Sequence, residues 1–209
     1  MTAPTDVDYV LVWLMTGSRS GTHAPDERDR IFRGHMASIH RAFASGALLV
    51  AGPFVRSGRP GWRGLLVLDV PDLDAARALV EGDPGVAEGV FRPEYHRVRG
   101  PRTLRMAPAL QRDALAELGV THDDPEVPPP NLRTYVLATV PRVEHLLALP
   151  LTRAFLPLRF RDRDGAVVML DAERIEDILP HVNPTNLSAI TLDYWMSKTS
   201  LARLPRPAE

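Results

Sequence analysis

The chain has 209 residues and a mass of 23.1 kDa, enough for one large domain or two small ones, each with its own core. Its 44% apolar and 24% charged residues are those of a soluble globular protein, and a formal net charge of -1 leaves no electrostatic case for nucleic acid or an anionic membrane. No cysteine is present, which excludes disulfides, thiolate catalysis and Cys-ligated metal. No apolar run approaches the roughly 18 residues of a membrane span, and the N-terminus lacks a basic segment followed by an apolar one. The expectation is a cytoplasmic protein.

In chain order, Asp8 to Met15 is nearly all aliphatic or aromatic and predicts a strand buried on both faces. Thr16 to Asp26 is rich in Gly, Ser and Pro and reads as a loop, with Gly17–Gly21 a flexible lid. A helix is expected from about Pro25 to Ser45, because Phe32, Met36, Ile39 and Phe43 recur at helical steps, and Gly46 stops it. Ala47 to Ala51 is a short strand that Gly52-Pro53 turns out of. Gly58, Pro60 and Gly61 mark a loop that exposes Trp62, and Leu65 to Val70 is another strand. Asp72 caps a helix over Leu73 to Glu81, Gly82-Asp83-Pro84-Gly85 breaks it, and Glu94 to Val98 closes the unit. The order β-α-β-β-α-β is that of a ferredoxin-like sandwich, which leaves one sheet face bare.

Leu110 to Leu118 reads as a short helix, followed by an acidic, proline-rich spacer up to Asn131. The same order then recurs in trimmed form. Thr134–Val140, Ala154–Arg161, Ala166–Leu170 and Ala189–Trp195 are strand-like, with helical stretches at Val143–Leu149 and Ala172–His181. Asp164-Gly165 is a hairpin signal. The resulting division is a first unit over 1–104, a helix and linker over 105–131, and a degenerate second unit over 132–209. The expected fold is α+β: two tandem ferredoxin-like units packed sheet to sheet as a pseudo-dimeric barrel within one chain, with a homodimer as a further option.

Three motifs of the first half, His35 within Arg-Gly-His-Met-Ala-Ser-Ile, then Gly46 to Pro53, then Gly82-Asp-Pro-Gly-Val-Ala-Glu-Gly-Val-Phe91, resemble the YciI-like (YCII-related) family. The similarity covers about residues 8 to 100. It implies the dimeric α+β barrel superfamily, which includes muconolactone isomerase and a dehydrochlorinase of chlorinated hydroxyhydroquinones. It also implies a catalytic pair made of a helix histidine and the aspartate of an Asp-Pro motif, here His35 and Asp83. The second half resembles the superfamily only in element order. It has no histidine at the equivalent helix, and Asn183-Pro184 is the nearest relic of the Asp-Pro-Gly turn.

The chemistry follows from the side chains themselves. A carboxylate beside a histidine fixes its tautomer and stabilises its imidazolium, which suits proton transfer near neutral pH. The residues expected to bind substrate are Arg56, Trp62, His23 in the loop and His96 on a strand. Arg56, Arg59 and Arg63 could together clamp a carboxylate or phosphate, although a solvated loop is the plainer reading. His35 and His40 are five apart, off the helical step that presents two imidazoles to one metal, so no metal is expected. No glycine fingerprint supports a dinucleotide, and no cofactor is expected. The function expected is a cofactor-independent lyase, isomerase or cyclase acting on a small cyclic or aromatic metabolite. The alternative is a non-catalytic ligand-binding or accessory protein of the same fold.

Overall fold

The computed structural model describes residues 6–120, 124–142, 145, 154–182 and 188–205. Its elements are β1 (Asp6–Thr16), α1 (Pro25–Ala44), β2 (Leu48–Arg56), β3 (Trp62–Leu68), α2 (Leu73–Glu81), α3 (Pro84–Ala87) and β4 (Phe91–Pro101), followed by α4 (Ala107–Glu117). The second half contributes β5 (Leu132–Val140), β6 (Ala154–Phe160), β7 (Ala166–Leu170) and β8 (Thr191–Lys198). No helix among the described residues is long and apolar enough to cross a membrane.

The eight strands form one closed barrel in the order β1-β3-β2-β8-β5-β7-β6-β4, with β4 returning to β1. The first half therefore runs β4-β1-β3-β2 and the second β6-β7-β5-β8. Two bare faces laid on each other were expected; the halves instead join edge to edge. At one seam β2 meets β8, with Phe54 opposite Trp195 and Arg56 opposite Tyr194. At the other β4 meets β6, with Val98 opposite Phe160 and Arg99 opposite Arg159. Closure removes every free strand edge that an open sheet would present.

Alternation along the strands sorts side chains to two sides. From β1, Tyr9, Leu11 and Trp13 enter the barrel, where they meet Tyr135, Leu137, Leu156 and Trp195 of the second half. Val10, Val12 and Leu14 face outward under α1 and α2, with Leu48, Leu66, Ala76 and Val80. The interior is thus a filled core contributed by both halves.

Several elements differ from expectation for local reasons. Gly52-Pro53 does not turn the chain out of β2. The strand runs on through it, because Pro53 lies opposite Gly64 on β3 and the missing Cβ of Gly52 lets β8 come close. On α1 the buried positions are Ile31 and Ala42, with Ile39 and Phe43 partly buried, while Phe32 is 52% exposed. Ile39 and Phe43 therefore pack as expected, whereas in the first half of the helix Ile31 takes the buried place expected of Phe32, and His35 lies on the same face. The expected helix over Ala172–His181 is two short 3-10 turns, Ile175–Asp177 and Leu179–His181; Pro180 removes a backbone donor within it. The helix expected over Val143–Leu149 and the Asn183-Pro184 pair lie almost wholly outside the described residues. After α4 the chain crosses to β5, where Asn131 is anchored to Gln111 and to Thr199.

Candidate functional site

His35 comes from the buried face of α1, four residues after Ile31 and four before Ile39, so one helical face carries all three. Asp83 comes from the corner after α2. Its side chain caps α3 by accepting from the Gly85 backbone N–H at 2.7 Å, and Pro84 occupies the first helical position, where its missing N–H costs nothing. The same carboxylate faces the histidine: His35 Nδ1 lies 3.0 Å from Oδ1 and 2.9 Å from Oδ2. Both side chains are largely buried, at 16% and 9% exposure.

An ionised carboxylate only accepts, so Nδ1 carries the proton and donates it to Asp83. In the neutral ring the lone pair then sits on Nε2. That atom has no hydrogen bond among the described residues and is not among the polar atoms sealed from solvent, so it remains reachable. Phe91 flanks the ring at 5.2 Å between centroids. Beside the pair is a cavity of about 20 Å³ lined by Leu14, Ser38, Ile39, Leu66, Leu79 and Val86. It has room for about one water. The site lies between the helices and the outer sheet face and not inside the barrel.

The other expected site residues do not gather around this pair. His23 is no mobile gate. It is 7% exposed and its Nε2 lies 3.1 Å from the Glu88 carbonyl oxygen. Gly17 and Arg19 also donate backbone N–H groups to Val90 and Gly89, which pins the expected lid to the corner after α3. Arg56, the last residue of β2, is exposed and lies opposite Tyr194 at the seam, away from the pair. Its neighbour Arg59 is the arginine that folds in. Trp62 is half-buried and stacks against Trp13, with ring centroids 4.5 Å apart, while the Arg59 guanidinium covers its face at 3.4 Å. His96 is 8% exposed and stands on the barrel side of β4 against Phe160.

Sequence reasoning missed the residues that hold Arg59. Its Nη2 donates to the fully buried Asp193 and, at 3.3 Å, to Thr139, and Ser57 donates to the other Asp193 oxygen at 2.9 Å. Burial pulls the Arg59 pKa down, and the Asp193 charge and hydrogen bond oppose that. The available signal was period two on β8: Asp193 shares the inward face with Trp195 and Ser197, and a buried carboxylate there needs a partner.

With this geometry in view, comparison with known families gives one match, to the YCII-related domain over residues 11–95. Residues 11–95 are a YCII-related domain. The match spans β1 to the middle of β4, so the YCII-related domain contains both His35 and Asp83 and stops before α4 and the second half of the barrel. No curated protein and no solved structure matches the chain. Among the described residues no group of three or more His, Asp or Glu side chains is arranged to hold a metal ion.

Proposed function

We propose that the protein is a cofactor-independent acid–base catalyst in which His35 Nε2 takes up and returns a proton while Asp83 holds the ring. The observation that carries this reading is the two-oxygen contact of Asp83 to Nδ1 at 2.9 and 3.0 Å, which fixes the tautomer with Nε2 free. The substrate is a small cyclic or aromatic metabolite, and the reaction a lyase, isomerase or cyclase step. Because the adjoining cavity has room for about one water, the substrate's reacting carbon sits at the surface over Nε2. In the same reading the halves of the barrel, with matching strand orders, descend from one ferredoxin-like pattern used twice, and the second has kept strands and lost the pair.

The test is a turnover screen of cyclic and aromatic hydroxy, keto and halogenated acids with the wild-type protein, followed by His35→Ala on any compound consumed. Turnover should fall by about 10²–10⁴-fold, the usual contribution of a positioned acid–base group. Full turnover by His35→Ala removes the proposal. The small size of the cavity favours a second reading, a binding protein without turnover, for which the screen would yield ligands and no products.

A further inference from the structure

Asp83 can hold His35 only if the corner that carries it is itself held. α3 is a single turn of four residues, Pro84–Ala87, too short to be stable through its own backbone bonds. Asp83 fixes its N-terminal end. The carbonyl groups at its other end, like those of any helix, need donors from elsewhere. The loop over 17–24, between β1 and α1, supplies three of them. Gly17 donates its N–H to Val90 at 2.8 Å, Arg19 donates its N–H to Gly89 at 2.9 Å, and the His23 ring meets the Glu88 carbonyl oxygen at 3.1 Å. The loop lies close: a Cβ on Gly17 would run into the Gly89 carbonyl oxygen.

Two of these three donors are backbone groups, which any residue but proline provides. The third depends on a side chain. A carbonyl oxygen only accepts, so His23 Nε2 carries the proton and donates it. The ring is 2% exposed, and its Nδ1 faces the Glu27 carboxylate in the first turn of α1 at 3.8 Å. His23 thus stands between the end of α3 and the start of α1, the two elements that bring Asp83 and His35 together. The Glu88 carboxylate also lies between Arg19 at 3.5 Å and Arg30 of α1 at 3.4 Å. Both arginines are more than half exposed, and ion pairs of that kind contribute little. Inside the turn, Glu88 donates its N–H to Pro84 at 3.0 Å and Ala87 to Asp83 at 2.8 Å, so a short run of fixed backbone connects the His23 contact to Asp83.

We propose that His23 is a positioning residue, whose bond to the Glu88 carbonyl holds α3 so that Asp83 meets His35 Nδ1 with both oxygens. This role rests on the His35–Asp83 reading above. NMR of the protein labelled with 15N-histidine tests it by reading the tautomer of each of the seven rings, assigned by single substitutions. In the wild-type protein His35 should be the Nδ1–H tautomer and His23 the Nε2–H tautomer. His23→Leu fills the space without a donor and should move His35 toward Nε2–H by about tenfold, the worth of one hydrogen bond. His23→Gln, whose amide N–H can take the place of Nε2–H, should restore the wild-type tautomer. Glu88→Gln removes the arginine pairs, keeps the carbonyl, and should change nothing. An unaltered His35 ring in His23→Leu, an equal shift in Glu88→Gln, or no rescue by His23→Gln overturns the positioning role. So does a wild-type His23 in the Nδ1–H form, a result that needs no variant to fold. A wild-type His35 in the Nε2–H form would instead remove the pair itself, and with it both this role and the proton-transfer reading.

Discussion

Asp83 has two tasks, and two substitutions separate them. Asp83→Ala removes the cap of α3 and strands the Nδ1–H of His35, at a cost of about 1 kcal/mol for the first and roughly 1–3 kcal/mol for the second. Asp83→Asn keeps an oxygen for the Gly85 N–H, and asparagine caps helices as well as aspartate. Urea unfolding should therefore place Asp83→Asn close to wild type and Asp83→Ala clearly below it, and equal losses would deny the capping role. Lys198, the only lysine in the chain, gives a second prediction at this scale. Its ammonium lies over the Phe43 ring, and burial lowers its pKa from 10.5 to about 7. The folded state then binds fewer protons than the unfolded state between those values, so this group's contribution to stability rises with pH from about 7 upward. Near pH 10 the trend reverses: burial raises Tyr95 from 10.0 to about 12, and Tyr9 higher still, so the folded state there holds protons that the unfolded state has lost. Thermal melts across pH 7–10 should rise for the wild-type protein, and Lys198→Met should flatten that rise.

Among the elements, the contact of α1 with α3 sets the distance between His35 and Asp83. Gly34, next to the histidine, has no Cβ where one would come within 2.8 Å of the Pro84 ring. In an exposed helix Gly→Ala gains about 1 kcal/mol. Here the proline ring cannot fold away, and overpacking of this kind costs roughly 1–3 kcal/mol. Gly34→Ala should lower the melting temperature and shift the His35 ring resonances as the pair spreads; a higher melting temperature would mean that the helices yield freely. The seams carry a parallel contrast. A Cβ on Gly52 would run into the Met196 carbonyl oxygen across β2 and β8, whereas one on Gly100 would meet Leu158 Cδ2 at 2.5 Å across β4 and β6. A leucine side chain can change rotamer and a backbone carbonyl in a sheet cannot. Gly52→Ala should be the more damaging in denaturant titration, and the reverse order would contradict this account of the seam.

Seen as a whole, the molecule was legible in sequence wherever a pattern was local. Each of the eight strands overlaps an extended segment expected from the sequence, and Leu73–Glu81 with its Asp72 cap stands as expected. The pairing of His35 with Asp83 was legible through the motifs around them and not through periodicity, which placed Ile39 and Phe43 but took Phe32 for the buried residue in place of Ile31. What the sequence could not carry was set by contacts between distant strands. Gly52-Pro53 has the composition of a turn, yet β3 and β8 on either side hold it extended. Arg56 and Arg59 are equivalent in composition; Asp193, 134 residues further on, decides which of them is buried. The barrel itself was suggested by repeated element order, but its closure depends on the edge pairs at the two seams, which no local signal encodes.

The connection from α4 to β5 has a further consequence. Each half contributes one wall of a shared interior, and the only covalent tie between them is that single passage. An intact tie holds the halves at an effective concentration on the order of millimolar, as short linkers do. Severing it would turn assembly of the barrel into a meeting of two molecules. The unfolding midpoint of the cut protein would then climb with total concentration, whereas that of the uncut chain would not. A length of chain thus does for these two sets of strands what concentration would do for two separate molecules.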